Sequence, residues 1–167
     1  MPEDWAGTKL DDPAFDAAFE AVARADLAFD ALVQPGDLDA LSRRIERTPG
    51  LRVVIDHGAN PDTLGGEWAR AMARLGAMGA WVKLSGWPTL PLFEHEPGAM
   101  KSAAALLFAA FPDRVLWGSD WPVVTQAASY ADWHAAALAA NAALDPAARA
   151  RLFGGAAAEV YRLHPGP

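Results

Sequence analysis

Apolar positions along this chain alternate between two spacings. Over Asp12–Ala25, Phe15, Phe19 and Val22 recur at helical intervals, with Asp11 or Asp12 available as a cap and Pro13 suited to the first turn. Leu27–Val33 is short and mostly apolar and predicts a strand. Gly36–Arg47 predicts a second helix, with Leu38, Leu41 and Ile45 on one face and Pro49-Gly50 as its stop. Leu51–His57 follows as a strand; its run Val53-Val54-Ile55 is what a strand buried on both faces of a parallel sheet requires. Glu67–Met78 predicts a helix carrying Trp68, Met72 and Leu75, and Ala80–Ser85 a strand. The Pro-rich stretch Gly86–Gly98 is assigned no element. Ala99–Phe111 predicts a helix, Arg114–Ser119 a strand, and Tyr130–Ala143, Pro146–Phe153 and Ala156–Tyr161 helices, before a frayed tail from His164 to Pro167. Strands alternating with helices at this spacing imply βα units on a parallel sheet, an α/β fold. No repeat or shift in composition divides the chain, so one domain is expected.

Composition narrows the function classes. Of 167 residues, 52% are hydrophobic and 21% charged, enough apolar material for a folded core. The net charge of −7 leaves no basic stripe to replace phosphate counterions, so no nucleic-acid partner is expected. The run Ser42-Arg43-Arg44-Ile45-Glu46-Arg47 is read as a solvated helix face. With no cysteine there is neither a disulfide framework nor a thiolate metal site. No apolar run approaches the roughly 20 residues of a membrane span. Met1–Leu10 carries Glu3, Asp4 and Lys9 and no apolar core of a signal peptide. A cytoplasmic protein without a membrane partner is expected.

In parallel α/β folds the chemistry collects at the carboxyl ends of the strands. Here those ends read Val33-Gln34-Pro35, Asp56-His57-Gly58, Lys83-Leu84-Ser85-Gly86 and Gly118-Ser119-Asp120-Trp121-Pro122. Carboxylate, imidazole, ammonium and hydroxyl groups converge on one rim, while the strands behind them are apolar. Two decoys are set aside. His95-Glu96 lacks the second histidine of a zincin helix and is followed by Pro97; Leu64-Gly65-Gly66 lacks the Lys-Ser/Thr of a phosphate loop.

Taken in order, Ile55-Asp56-His57-Gly58-Ala59-Asn60-Pro61, Lys83-Leu84-Ser85-Gly86 and Trp117-Gly118-Ser119-Asp120-Trp121-Pro122 resemble the amidohydrolase-related lactonases. That group includes fuconolactonase, rhamnonolactonase and pyrone-dicarboxylate lactonase types. Phe29-Asp30-Ala31-Leu32-Val33 and Phe153-Gly154-Gly155 with Tyr161-Arg162-Leu163 fit the same pattern. The resemblance implies a (β/α)8 TIM barrel of which this chain holds approximately the fifth to eighth strands. Such barrels typically need about 250 residues. The family's His-x-His pair is absent, so a single C-terminal half-barrel domain is expected, without the N-terminal half. Asn60 stands where many relatives have Lys, and Ala156 where Asn is frequent.

The resemblance also implies roles. Asp120 is read as the general base that activates water or as a metal ligand, against the alternative of a helix cap or structural ion pair. His57 would polarise the lactone carbonyl, assist the departing alkoxide or bind a metal, against the alternative of a core histidine. Asp56 is expected to point to the other face of the strand end and to orient backbone. Lys83 would neutralise a substrate carboxylate or pair with a barrel carboxylate. Ser85, Trp87, Trp121 and Asn60 are the further substrate-binding candidates, the two indoles as walls of a sugar pocket. Trp68, Trp117 and Trp133 are assigned to the core. A triad of Ser119, His57 and Asp120 is disfavoured because the second glycine of a nucleophile elbow is missing. His57 and Asp120 give two metal donors where catalytic zinc usually takes three, so either no cofactor or a weakly held zinc is expected. The resulting expectation is a hydrolase acting on the lactone of a sugar acid or small dicarboxylate. The competing one is a half-barrel that works only by pairing with a second copy or an N-terminal half-chain. A reduced α/β binding domain is the third, and least favoured.

Overall fold

A computed structural model describes residues 10–96 and 98–163 of the chain. The start of the chain, Pro97 and the tail from His164, all interpreted above, lie outside the described residues. Four strands, β1 (Ala28–Ala31), β2 (Arg52–Ile55), β3 (Trp81–Leu84) and β4 (Val115–Trp117), form one parallel sheet in sequential order. Helix α1 (Asp16–Arg24) precedes β1, α2 (Leu38–Arg47) links β1 to β2, and α3 (Gly66–Ala77) links β2 to β3. Helices α4 (Pro91–His95) and α5 (Ala99–Ala110) lie between β3 and β4. Beyond β4 come α6 (Tyr130–Ala140), α7 (Pro146–Ala150) and α8 (Ala156–Val160), the last two joined by a π-helical turn, Arg151–Gly155. The α/β class and the order of elements are those expected from the sequence. No described helix is long and apolar enough to cross a membrane.

Two differences have local causes. The Pro-rich stretch contains a 3-10 turn, Trp87–Thr89, and α4, each with a proline in its first turn; five residues are too few for a helical period to show. The basic-looking run of α2 is not wholly solvated. Arg44 is fully buried, its guanidinium donating to the Leu10 and Asp12 carbonyls and to Asp16 Oδ1 while lying over the Phe19 ring. It ties α2 to the segment around α1, and Asp12 caps that segment as expected by accepting from Ala14 N–H.

The strand period of two divides the sheet into two faces. Ala31, Val53, Ile55, Val82, Leu84 and Val115 join the main core with Leu41, Met72, Leu75 and Leu107 from the helices. The opposite face presents Asp30 beside Val54 and Lys83 beside Leu116 in register. Val54, Trp81 and Leu116 are buried there beneath Ala156 and Val160 of α8. The C-terminal helix thus covers the lower part of this second face and leaves its upper, strand-end part to the polar groups. Among the described residues β1 pairs only with β2 and β4 only with β3, so both edges of the sheet are unpaired.

Candidate active site

β2 runs straight into a tight turn, Asp56–Ala59, whose backbone is left-handed at His57 (φ 55°), Gly58 and Ala59, with Asn60 following at φ 49°. β4 leads to a second such residue, Asp120 at φ 53°. Non-glycine residues in this region carry backbone strain that the surroundings must hold, and such residues cluster at functional sites. The holding groups are visible. Trp68 Nε1 donates to the Gly58 carbonyl at 2.9 Å, Trp87 Nε1 to the His57 carbonyl at 3.4 Å, and Trp133 Nε1 to the Gly118 carbonyl at 2.9 Å. Three buried indoles therefore anchor the loops that carry His57 and Asp120.

Those loops bring His57 Nε2 to 3.7 Å from Asp120 Oδ1, with the side chains 20% and 14% exposed. The other imidazole nitrogen, Nδ1, lies 2.8 Å from Ser85 Oγ. Both groups line a cleft of about 480 Å³ on the second face of the sheet, together with Asp30, Asp56, Lys83 and Tyr161. Lys83 Nζ donates to Asp30 Oδ2 at 3.0 Å and forms an ion pair with Asp56 Oδ1 at 2.7 Å. Burial alone would lower the Lys83 pKa, but the Asp56 and Asp30 carboxylates and Tyr161 outweigh it and hold the ammonium protonated above its ordinary range. Tyr161 donates from its hydroxyl to Asp30 Oδ1 at 2.6 Å. Burial pushes its phenol up to about 12, the Asp30 bond pushes the same way, and Lys83 opposes both.

The structure redistributes several of the residues singled out from sequence. Asp56 does not turn to the other face; it faces the cleft and meets Lys83, because the left-handed turn begins one residue later. Lys83 takes the second of its two expected roles, pairing with carboxylates of the chain itself. Trp87 is 1% exposed and stacked on Phe93, so it cannot wall a pocket. Ser85, 2% exposed, lines the same cleft and touches His57 there. Asn60 donates from Nδ2 to the Val33 carbonyl, tying the loop after β2 to the end of β1. Trp121 stands at the rim, 67% exposed. Ser119 Oγ accepts from Trp121 N–H and does not approach His57 closely enough for a hydrogen bond. Trp68 and Trp133 are buried; Trp117 is half-buried against Tyr130, His134 and Phe153. Asp30 and Tyr161 were given no role from sequence. Asp30, a charge inside β1, and Tyr161 both stand in segments that fit the family pattern, the signal that could have marked them.

The family model described as Amidohydrolase matches residues 1–163. The chain is 40% identical over 174 residues to an L-fucono-1,5-lactonase of Burkholderia ambifaria, a match covering 96% of this chain and 57% of that protein. It is 30% identical over 195 residues to an L-fucono-1,5-lactonase of Burkholderia multivorans, covering 96% of this chain and 65% of that protein. The chain therefore spans roughly three-fifths of these relatives' length. Among solved structures it is similar to an amidohydrolase from Burkholderia multivorans with bound zinc, at TM-score 0.84 and 28% identity over 93% of this chain and 60% of that one. A Pseudomonas putida protein described as a candidate 2-pyrone-4,6-dicarboxylic acid hydrolase shares the fold at TM-score 0.77 and 23% identity, over 94% of this chain and 59% of that one. The four-strand sheet matches part of these barrels.

A zinc ion in the neighbour invites the same question here. Among the described residues no group of three or more His, Asp or Glu is placed to hold a metal. His57 and Asp120 offer two donors, and the nearby Asp56 and Asp30 are taken by Lys83. The described residues alone do not make a complete zinc site.

Proposed function

We propose that this chain, which belongs to the amidohydrolase family, carries the water-activating rim of a hydrolase that opens the lactone of a sugar acid or small dicarboxylate. The observation that carries the reading is the placement of His57 Nε2 and Asp120 Oδ1 3.7 Å apart at the mouth of one cleft. That separation is too long for a direct hydrogen bond and leaves both groups available to a third. In the proposed reaction Asp120 takes a proton from a water as its oxygen attacks the lactone carbonyl carbon. His57 donates a hydrogen bond to the oxyanion of the tetrahedral intermediate. Collapse breaks the ring C–O bond, and the proton held by Asp120 passes to the departing alkoxide oxygen. The product is the open hydroxy acid, and atoms balance with one water consumed. The naming of both curated relatives as L-fucono-1,5-lactonases makes that lactone the first substrate to try. Exposed Trp121 offers an apolar wall at the rim for a sugar ring. With Asp120→Asn, turnover of the lactone above its spontaneous hydrolysis should fall roughly 10²- to 10⁴-fold, the usual worth of a general base. Unchanged turnover would remove Asp120 from the reaction.

A second reading is favoured by the sheet edges. β1 and β4 are unpaired among the described residues, and the matched relatives are longer. In this reading the chain is a C-terminal half-barrel domain, and its rim turns over lactone only when a second copy or an N-terminal half-chain completes the barrel.

A further inference from the structure

We propose that Ser85 is a positioning residue that fixes the neutral His57 ring with its proton on Nε2. The inference rests on the reading above, in which His57 donates to the lactone oxygen, and names what makes it a donor.

Ser85 is 2% exposed, and its hydroxyl, like any buried polar group, needs a partner. Among the described residues the one within hydrogen-bond reach of Ser85 Oγ is His57 Nδ1, at 2.8 Å. Two assignments fit that distance. If Nδ1–H donated to Oγ, the serine proton would be left with no protein acceptor among the described residues. If the serine O–H donates to Nδ1, both groups are satisfied, and the ring proton sits on Nε2. That nitrogen is the one facing Asp120 Oδ1 across 3.7 Å of the cleft mouth. A carboxylate often orients an imidazole, but here Asp56, the nearest in sequence, is occupied by Lys83. The serine takes its place.

The glycines around Ser85 fit the same purpose. A Cβ on Gly86, whose φ is +71°, would lie 2.6 Å from His57 Cγ and Nδ1, so the ring packs on bare backbone and any side chain would move it. A Cβ on Gly118 would lie 3.0 Å from Ser85 Cβ. Gly86 after β3 thus packs directly on the imidazole, and Gly118 after β4 packs on Ser85 behind it. In this tautomer the lone pair on Nδ1 is taken by Ser85 and Nε2 carries a hydrogen, so the ring presents a donor to the cleft.

The test is a long-range ¹H–¹⁵N correlation spectrum of the uniformly ¹⁵N-labelled full chain at pH 8, with His57 assigned by its loss in His57→Gln. The expected spectrum shows a protonated, pyrrole-type Nε2 and an unprotonated Nδ1 for His57. In Ser85→Ala that pattern should shift toward a mixture of tautomers, while the signals of His95 and His134 stay in place and report an intact fold. Lactone turnover by Ser85→Ala should drop in kcat with KM held. A wild-type ring protonated on Nδ1 overturns the proposal, as does a His57 tautomer indifferent to Ser85→Ala. A chain inert toward lactones whose Nε2 proton still depends on Ser85 supports this assignment while counting against the hydrolytic reading.

Discussion

Tyr161 stands 131 residues after Asp30, yet its hydroxyl donates to that carboxylate at 2.6 Å, and Lys83 lies over its ring. The contact extends the polar cleft down to the C-terminal helix. Because Asp30 is partly solvated, Tyr161→Phe should cost only about 1 kcal/mol, less than a buried bond to a charged group. Differential scanning calorimetry should show this as a loss of about 2–4 °C in Tm. An unchanged Tm would mean the bond is idle. The phenol itself, pushed up to about 12, should stay protonated in an absorbance titration at pH 11. His57, Asp120 and Lys83 could be picked out because each is polar at the end of an apolar strand. Their partners could not, since a pair such as Tyr161 and Asp30 is made by the fold and leaves no spacing to detect. Trp87 was misassigned for a related reason: a tryptophan beside a rim motif does not reveal whether its face or its N–H is in use.

Helix packing can be tested in the same way. Gly76 of α3 lies against the end of α5, and a Cβ there would fall 1.9 Å from the Ala110 carbonyl oxygen. That oxygen belongs to backbone and cannot swing away, so Gly76→Ala should force the helices apart and cost about 1–3 kcal/mol. Urea denaturation reads this directly, and a midpoint equal to wild type would show that the approach is looser than described. The clamp between α1 and α2 should be sensitive to acid. Hydrogen bonds from Arg44 and Arg47 hold Asp16 below the ordinary carboxylate value of 3.8. A depressed carboxylate contributes stability that is present above its unfolded value and is lost as pH falls through its lower folded value. Stability should therefore decline below about pH 4, and Asp16→Asn should remove part of that decline. A variant with the same acid profile as wild type would relocate the effect. The helices themselves were legible from apolar spacing and capping residues. The buried state of Arg44 was not, because an arginine on a helix face looks the same in sequence whether solvent or another segment covers it.

For the molecule as a whole, five of the eight large apolar residues left in solvent among the described ones adjoin the outer strands in sequence. Leu27 and Leu32 flank β1, and Trp121, Val123 and Tyr130 follow β4, all more than 40% exposed. Exposed strand edges with apolar neighbours invite pairing with another chain. The parallel sheet and the polar groups at its strand ends were legible from the alternation of elements. The chain spans 57% and 65% of the relatives it matches, so the remainder of their length leaves no pattern to read here. The most direct measurement is size-exclusion chromatography with light scattering on the full chain, assaying hydrolysis of L-fucono-1,5-lactone across the peaks for wild type and Asp120→Asn. The account predicts activity confined to a discrete species of defined mass and lost in the variant at unchanged elution. A discrete, folded wild-type species no faster than the spontaneous reaction, alone or mixed with an N-terminal half-chain from a relative, would contradict it.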